Sequence, residues 1–216
     1  MFRPRRILII ILSILAGLVL LCMGLWLFYR NARWGFAREV PEGEASRRML
    51  LIQTAESWLG ANEADGSHQE IIDLYNSQES LPMDYEVLYT DSWCAAFVTA
   101  AAMEADLTDI IPPECGCERQ IGRFQELGCW QETDTYLPLP GDIIYYAWDE
   151  KPFGECTGWA DHVGIVTGTC WPFVKVIEGN KEDRVDYRIV SIWNGTIRGY
   201  GLPQYDASET GNPVCD

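Results

Sequence analysis

The chain has 216 residues, with 16 Lys and Arg set against 32 Asp and Glu, a formal net charge of −16 at neutral pH. That length suffices for one globular domain with a sizeable core and a short additional segment. So acidic a balance excludes nucleic-acid binding through neutralisation of phosphates.

The charge is unevenly spread. Residues 1–38 hold six arginines and no acid, which leaves ten basic residues facing all 32 acids from residue 39 onward, a net −22. Such a surface favours solubility and is repelled by anionic lipid. Residues 1–6 form a basic N-terminal segment, and Ile7 to Tyr29 then runs without a charge. As a helix, that run reaches about 34 Å, enough to cross a hydrocarbon core of about 30 Å. It lacks the short apolar core and small-x-small exit of a cleaved signal, and Leu20-Leu21 denies Cys22 the small residue of a lipoprotein signal. The reading is a transmembrane helix at 7–29. Trp26, Phe28, Tyr29 and Trp34 are then interfacial aromatics, or plain hydrophobic filler. Arginines flank the run on both sides, so charge bias does not orient it.

Residues 30–45 read as a juxtamembrane linker ending in the acidic stretch Glu39 to Ala45, residues 46–205 as the domain, and 206–216 as a polar tail. Helices come first in the domain. Leu51, Ile52, Ala55, Trp58 and Leu59 recur at helical spacing between Arg47 and Leu59, with Gly60 as the stop. Ser67-His68-Gln69-Glu70 has the form of a capping box before Ile71, Ile72 and Tyr75, with His68 as a solvated surface residue. Asp91-Ser92-Trp93-Cys94 opens the next helix, which continues through Ala105 without a breaker and takes Asp91 or Ser92 as its N-cap. A further helix spans Glu118 to Leu127 before Gly128.

Strand periodicity follows. Pro140-Gly141-Asp142 turns into Ile143 to Trp148, and Lys151 to Gly158 is a loop. His162 to Gly168 and Phe173 to Glu178 are strands, then Arg184 to Ile192 and Thr196 to Tyr200. Helices first and a meandering antiparallel sheet after is an α+β order.

Cys94 falls in the first turn of its helix, near unsatisfied backbone N–H groups and the positive end of the helix dipole. Both favour the thiolate, the form that attacks carbonyls. The competing reading is a buried, inert thiol. His162, one of two histidines, begins a strand, where a side chain can project into a cleft as a general base. If the strands of His162 and Glu178 are antiparallel neighbours, the start of one faces the end of the other. Glu178 or Asn180 is then placed to orient the imidazole.

Trp93-Cys94-Ala95-Ala96-Phe97-Val98, Pro140-Gly141-Asp142-Ile143-Ile144, Asp161-His162-Val163-Gly164-Ile165-Val166, Ile177-Glu178-Gly179-Asn180 and Gly199-Tyr200-Gly201-Leu202-Pro203 together resemble the CHAP amidohydrolase/peptidases. These are papain-like cysteine hydrolases of bacterial peptidoglycan, related to the NlpC-type peptidases. The resemblance implies a papain-like α+β domain with Cys94 as nucleophile, His162 as base and then acid, Glu178 as the orienting group, and Asn180 as a polar neighbour of the histidine. Trp93 stands where many relatives place a Gln, which leaves the second oxyanion donor unassigned. Calcium-binding relatives carry spaced acids upstream of the cysteine; no such cluster is seen near Asp84 and Asp91, so no metal and no cofactor are expected.

Beside Cys22 and Cys94, six cysteines remain: Cys115, Cys117, Cys129, Cys156, Cys170 and Cys215, with fifteen possible pairings. A disulfide in the Cys115–Cys129 region is the first expectation if the domain lies outside the cytoplasm; reduced core thiols are the alternative. Cys115-Gly116-Cys117 lacks the second pair that zinc would need. Among the tryptophans, Trp130, Trp148, Trp171 and Trp193 read as packing, and Trp159, close to His162, together with Trp93 beside the cysteine, as substrate contacts. Asn194-Gly195-Thr196 reads as a hairpin turn. Asp161, a chain neighbour of His162, points away from the imidazole.

The expectation is a single-pass membrane hydrolase with an extracytoplasmic domain that cuts an amide bond of peptidoglycan, as an N-acetylmuramoyl-L-alanine amidase or a stem-peptide or cross-bridge endopeptidase. A larger envelope-spanning complex is one setting for it. The alternatives are a papain-like peptidase acting on another polypeptide and a catalytically silent wall-binding module.

Overall fold

A computed structural model describes residues 4–31, 34–132, 136–148 and 156–206. Residues 151–155 of the Lys151–Gly158 loop, most of the polar tail and Cys215 lie outside the described residues. The chain divides into two units, Met1–Arg33 and Trp34–Asp216.

The first unit is one helix, α1 (Pro4–Asn31), 28 residues long. The side chains of residues 4–8, 25 and 28–31 are not among those described. Among the described residues no helix is long and apolar enough to cross a membrane.

In the second unit, α2 (Glu42–Ser57) starts earlier than the periodicity suggested, with Pro41 before it and Glu42 and Glu44 in its first turn. The second half of the acidic stretch read as linker, residues 42–45, is therefore helix, because carboxylates suit the positive end of the helix dipole. Residues before it are also placed: Gly35 and Thr169 exchange backbone hydrogen bonds of 3.0 and 3.4 Å. From Trp34 onward, the stretch read as linker is thus part of the second unit.

α3 (Gln69–Asn76) buries Ile71, Ile72 and Tyr75. The capping box does not form, since the Ser67 hydroxyl turns back to the Asp65 carboxylate instead of the helix. A single 3-10 turn, Pro82–Asp84, precedes α4 (Cys94–Glu104). Neither Asp91 nor Ser92 caps α4; the cap position is Trp93, and the Asp91 carboxylate accepts from the Leu88 N–H and the Tyr85 hydroxyl. Every residue from Cys94 to Ala102 is buried. Small alanines let this helix lie in the middle of the core with apolar contact all round. α5 (Cys117–Glu126) ends at Leu127 and Gly128.

The sheet contains β1 (Trp130–Gln131), β2 (Ile143–Tyr146), β3 (His162–Cys170), β4 (Phe173–Glu178), β5 (Asp186–Ser191) and β6 (Ile197–Gly201). Its order is β1-β6-β2-β3-β4-β5, and every neighbouring pair is antiparallel. Strands β2 to β5 meander as expected, whereas β6 crosses back to lie between β1 and β2. Asn194 and Thr196 therefore do not close a hairpin: β5 and β6 are not partners, and the Asn194 carboxamide caps a turn by accepting from the Thr196 N–H and hydroxyl.

α2 and α4 pack on β3, and α3 packs on α4. Val163, Ile165 and Ile177 face this helical layer, while Ile144, Tyr146, Val166, Val174 and Val176 form a second apolar cluster on the other face. The alternation follows from the two-residue period of a strand. Between α2 and the β2 turn lies a buried ion pair, Arg48 Nη1 to Asp142 Oδ1 at 2.8 Å. Asp142 also accepts from the Tyr136 hydroxyl and the Leu139 N–H, while Arg48 donates from the same Nη1 to the Pro140 carbonyl and from Nε to Glu44. The Pro-Gly-Asp turn is thereby an architectural element.

Candidate active site

Cys94 is the first residue of α4 and is 4% exposed. Three groups face its sulfur: the Cys117 thiol, the His162 imidazole and the Ala95 backbone N–H. The Cys117 sulfur is 3.7 Å away. The hydrogen bond from Cys117, then those from His162 and the Ala95 N–H, hold the Cys94 thiol well below the ordinary thiol range despite full burial. Cys117 is pushed the opposite way by the same contact and by burial.

His162 begins β3 and is 8% exposed. Its Nε2 lies 3.0 Å from Glu178 Oε2, which leaves Nδ1 as the nitrogen free to serve the thiol. Burial opposes its imidazolium, but the bonds to Cys94 and Glu178 outweigh that and push it up to about 9. A lowered thiol beside a raised imidazole describes a thiolate–imidazolium pair.

The register explains how Glu178 reaches the histidine. Ile165 pairs with Ile177, so one step further Gly164 stands opposite Glu178, and His162 is the diagonal neighbour two residues on. The Glu178 side chain crosses the space above Gly164: a Cβ there would be 2.7 Å from Glu178 Cγ and 2.6 Å from Val176 Cγ1. Gly179 meets a similar demand, because a Cβ on it would lie 2.4 Å from the Phe97 Cβ of α4. Two glycines thus set the helix and the acid around one imidazole.

Behind Glu178 stands Arg188 of β5. Its Nε is 2.8 and 2.9 Å from the two carboxylate oxygens. Burial would raise the Glu178 carboxyl, but the bonds from His162 and Arg188 hold it below its ordinary value. Arg188 lies over the Trp148 ring at 4.9 Å, and Trp148 stacks on Tyr146 at 4.7 Å and stands 5.7 Å from His162. α5 closes the other side, where the Glu118 carboxylate accepts from the Ala160 N–H two residues before His162.

Of the residues singled out from sequence, the structure brings Cys94, His162 and Glu178 together. Asn180 sits at φ 54° in the turn after β4, and it is Glu178 that holds Nε2 of His162. Trp93 is fully buried, with its indole N–H on Glu63, so it presents no surface to a substrate. Trp159 is 76% exposed on the loop before β3. Asp161 accepts from the Trp148 N–H rather than from the imidazole. Trp171 and Trp193 are not core residues but an exposed edge-to-face pair at 5.6 Å. Cys115 and Cys117 are both thiols, so neither supplies the disulfide expected in the Cys115–Cys129 region.

His68 is also corrected. It is 3% exposed, with Nδ1 3.2 Å from the Asn62 carbonyl, Nε2 3.0 Å from the Tyr89 carbonyl, and its ring 5.7 Å from that of Trp93. It ties two loops beneath the start of α4. Arg188, Cys117 and Trp148 had no motif to mark them.

No family model matches the chain, and no curated protein matches it. Among solved structures it is similar to an NlpC/P60 family protein from Bacillus cereus ATCC 10987, at 15% identity and a TM-score of 0.42 over 72% of this chain and 40% of that one. It is also similar to Ly7917, at 15% identity and a TM-score of 0.33 over 62% of each chain. The chain thus spans less than two thirds of the length of either. The functional reading stands on the geometry of Cys94, His162 and Glu178.

Proposed function

We propose that the protein is a cysteine hydrolase that cuts an amide bond of peptidoglycan, of the CHAP type, held at the membrane by α1 with its second unit outside the cytoplasm. The observation that carries this reading is a thiol at a helix start facing an imidazole whose other nitrogen is bound by a buried carboxylate. In this reading Cys94 thiolate attacks the amide carbonyl and His162 gives its proton to the leaving amine. Water activated by His162 then opens the thioester. Glu178 keeps the ring oriented and stabilises its charged form. The oxyanion is met by backbone N–H groups at the start of α4, where the first intrahelical bond is Phe97 N–H to Trp93 and the N–H groups before it are left over. Trp148 and the exposed Trp159 flank the histidine as candidate substrate contacts.

The test uses the full chain in detergent, incubated with purified peptidoglycan beside a Cys94→Ala variant, with released fragments identified by mass spectrometry. Fragments from the wild type alone support the hydrolase, and their masses distinguish a sugar–alanine amidase from a stem-peptide endopeptidase. No fragments from either, with both retained on the sacculus, replaces it with a wall-binding module.

A further inference from the structure

The Cys94 mechanism leaves one nucleophile at the site unused. Cys117 is the first residue of α5 and Cys94 the first of α4, so the two helix starts converge with their sulfurs 3.7 Å apart. Both are thiols, and both are nearly buried. A disulfide requires a sulfur separation of about 2.05 Å, so closing the gap takes a movement of roughly 1.7 Å. Cys115, two residues away, is also a thiol, but the contact to Cys94 is made by Cys117.

We infer that Cys117 is a resolving thiol for Cys94, so that oxidation of Cys94 by a peroxide ends in a Cys94–Cys117 disulfide, a reversible modification that closes the site. In the first step the Cys94 thiolate attacks one peroxide oxygen. A sulfur–oxygen bond forms, the oxygen–oxygen bond breaks, and the departing hydroxide takes a proton to become water. In the second, the Cys117 sulfur attacks the sulfur of the Cys94 sulfenic acid, the sulfur–sulfur bond forms, and hydroxide leaves with the Cys117 proton as a second water. The two thiols lose two electrons and two protons, and the peroxide is reduced to two waters. The neighbour intercepts the sulfenic acid before further peroxide drives it to the irreversible sulfinic acid.

This inference rests on the proposed function only for its effect on turnover; the chemistry of the pair is read separately by mass. The full chain in detergent is treated with hydrogen peroxide, alkylated, digested and analysed for linked peptides. The expected result is a linked peptide joining Cys94 to Cys117, lighter than the two thiol peptides by two hydrogen atoms. Dithiothreitol then restores both thiols and, with them, any peptidoglycan cleavage lost on treatment. In Cys117→Ser the same peroxide leaves Cys94 as sulfinic acid, which dithiothreitol does not reverse. Recovery of sulfinic Cys94 in the wild type with Cys117 still open to alkylation overturns the inference, as does a linkage of Cys117 to Cys115 instead. If the Cys94–Cys117 link forms in a chain that cleaves no peptidoglycan, the proposed function fails and this inference stands.

Discussion

Glu178 reaches His162 only because Gly164 has no side chain: its Cγ passes 2.7 Å from where a Cβ on Gly164 would stand. The Ile177 carbonyl, at 2.9 Å from the same point, blocks the simplest relief. Gly164→Ala is therefore expected to push the carboxylate off the imidazole while the strand still pairs. A displacement of that size costs activity on the order of a hundredfold. NMR titration of His162 is the direct check: its pKa should fall from about 9. An unchanged titration would show that Glu178 has room to move.

The ion pair at the site predicts the shape of the pH profile. Cleavage measured as kcat/KM should fall on the alkaline side as His162 loses its proton near 9, and on the acid side as the thiolate of Cys94 is protonated below the ordinary thiol range. Alkylation of Cys94 by iodoacetamide, followed across pH, reads the acid limb without any substrate. Stability follows the same sign. A histidine raised above its unfolded value of about 6.5 contributes fully below that pH, and the contribution is lost as pH rises through about 9. A flat alkylation rate from acid to alkaline pH would contradict the pairing.

Glu178→Gln keeps the size of the side chain and removes its charge. The imidazolium loses its partner and Arg188 loses the carboxylate it grips at 2.8 Å. By analogy with other base-orienting acids, kcat is expected to drop by about a hundredfold to ten-thousandfold with the fold intact. Circular dichroism and steady-state kinetics on the one variant separate the two effects.

Arg48→Met tests the architecture apart from the chemistry. It strands the Asp142 carboxylate, which is fully buried. Removing one partner of such a pair costs about 3–5 kcal/mol. Thermal unfolding should shift strongly downward, whereas the double variant with Asp142→Asn should recover part of the loss.

His68→Ala removes the bridge between the Asn62 and Tyr89 carbonyls beneath Trp93. The Asn62 carbonyl keeps the backbone N–H of residue 68, but the Tyr89 carbonyl loses its donor, at a cost of about 1–3 kcal/mol. Amide hydrogen exchange should rise in the loop before α4, next to the nucleophile. Protection equal to wild type there would show that water replaces the ring.

The sequence carried the helix that bears Cys94 and the strands that carry His162 and Glu178, because each is written locally in periodicity and turn residues. The facing of those two residues followed from strand direction alone. What escaped was decided at a distance. Ser67 has two polar partners to choose from, and the nearby Asp65 wins over the helix end. His68 has the composition of a surface residue, and only the fold shows two carbonyls converging on it. Arg188 and Cys117 come to the site from β5 and α5, 94 and 23 positions from Cys94 in the chain. Position β6 in the sheet was invisible too, since nothing in Ile197 to Gly201 states which strand edge it will take.

That placement of β6 bears on when the protein becomes itself. During synthesis β2, β3, β4 and β5 can zip together in the order they are made, but the outer edge of β2 stays open until Ile197–Gly201 arrives. One late strand then seals two seams at once, to β2 and to β1. A ribosome that stops before it leaves Cys94, His162 and Glu178 all translated on an unfinished sheet with an exposed edge. Completion of the fold is thus timed by the part of the sheet farthest in sequence from the nucleophile, and a truncated product would be a target for degradation rather than a smaller working protein.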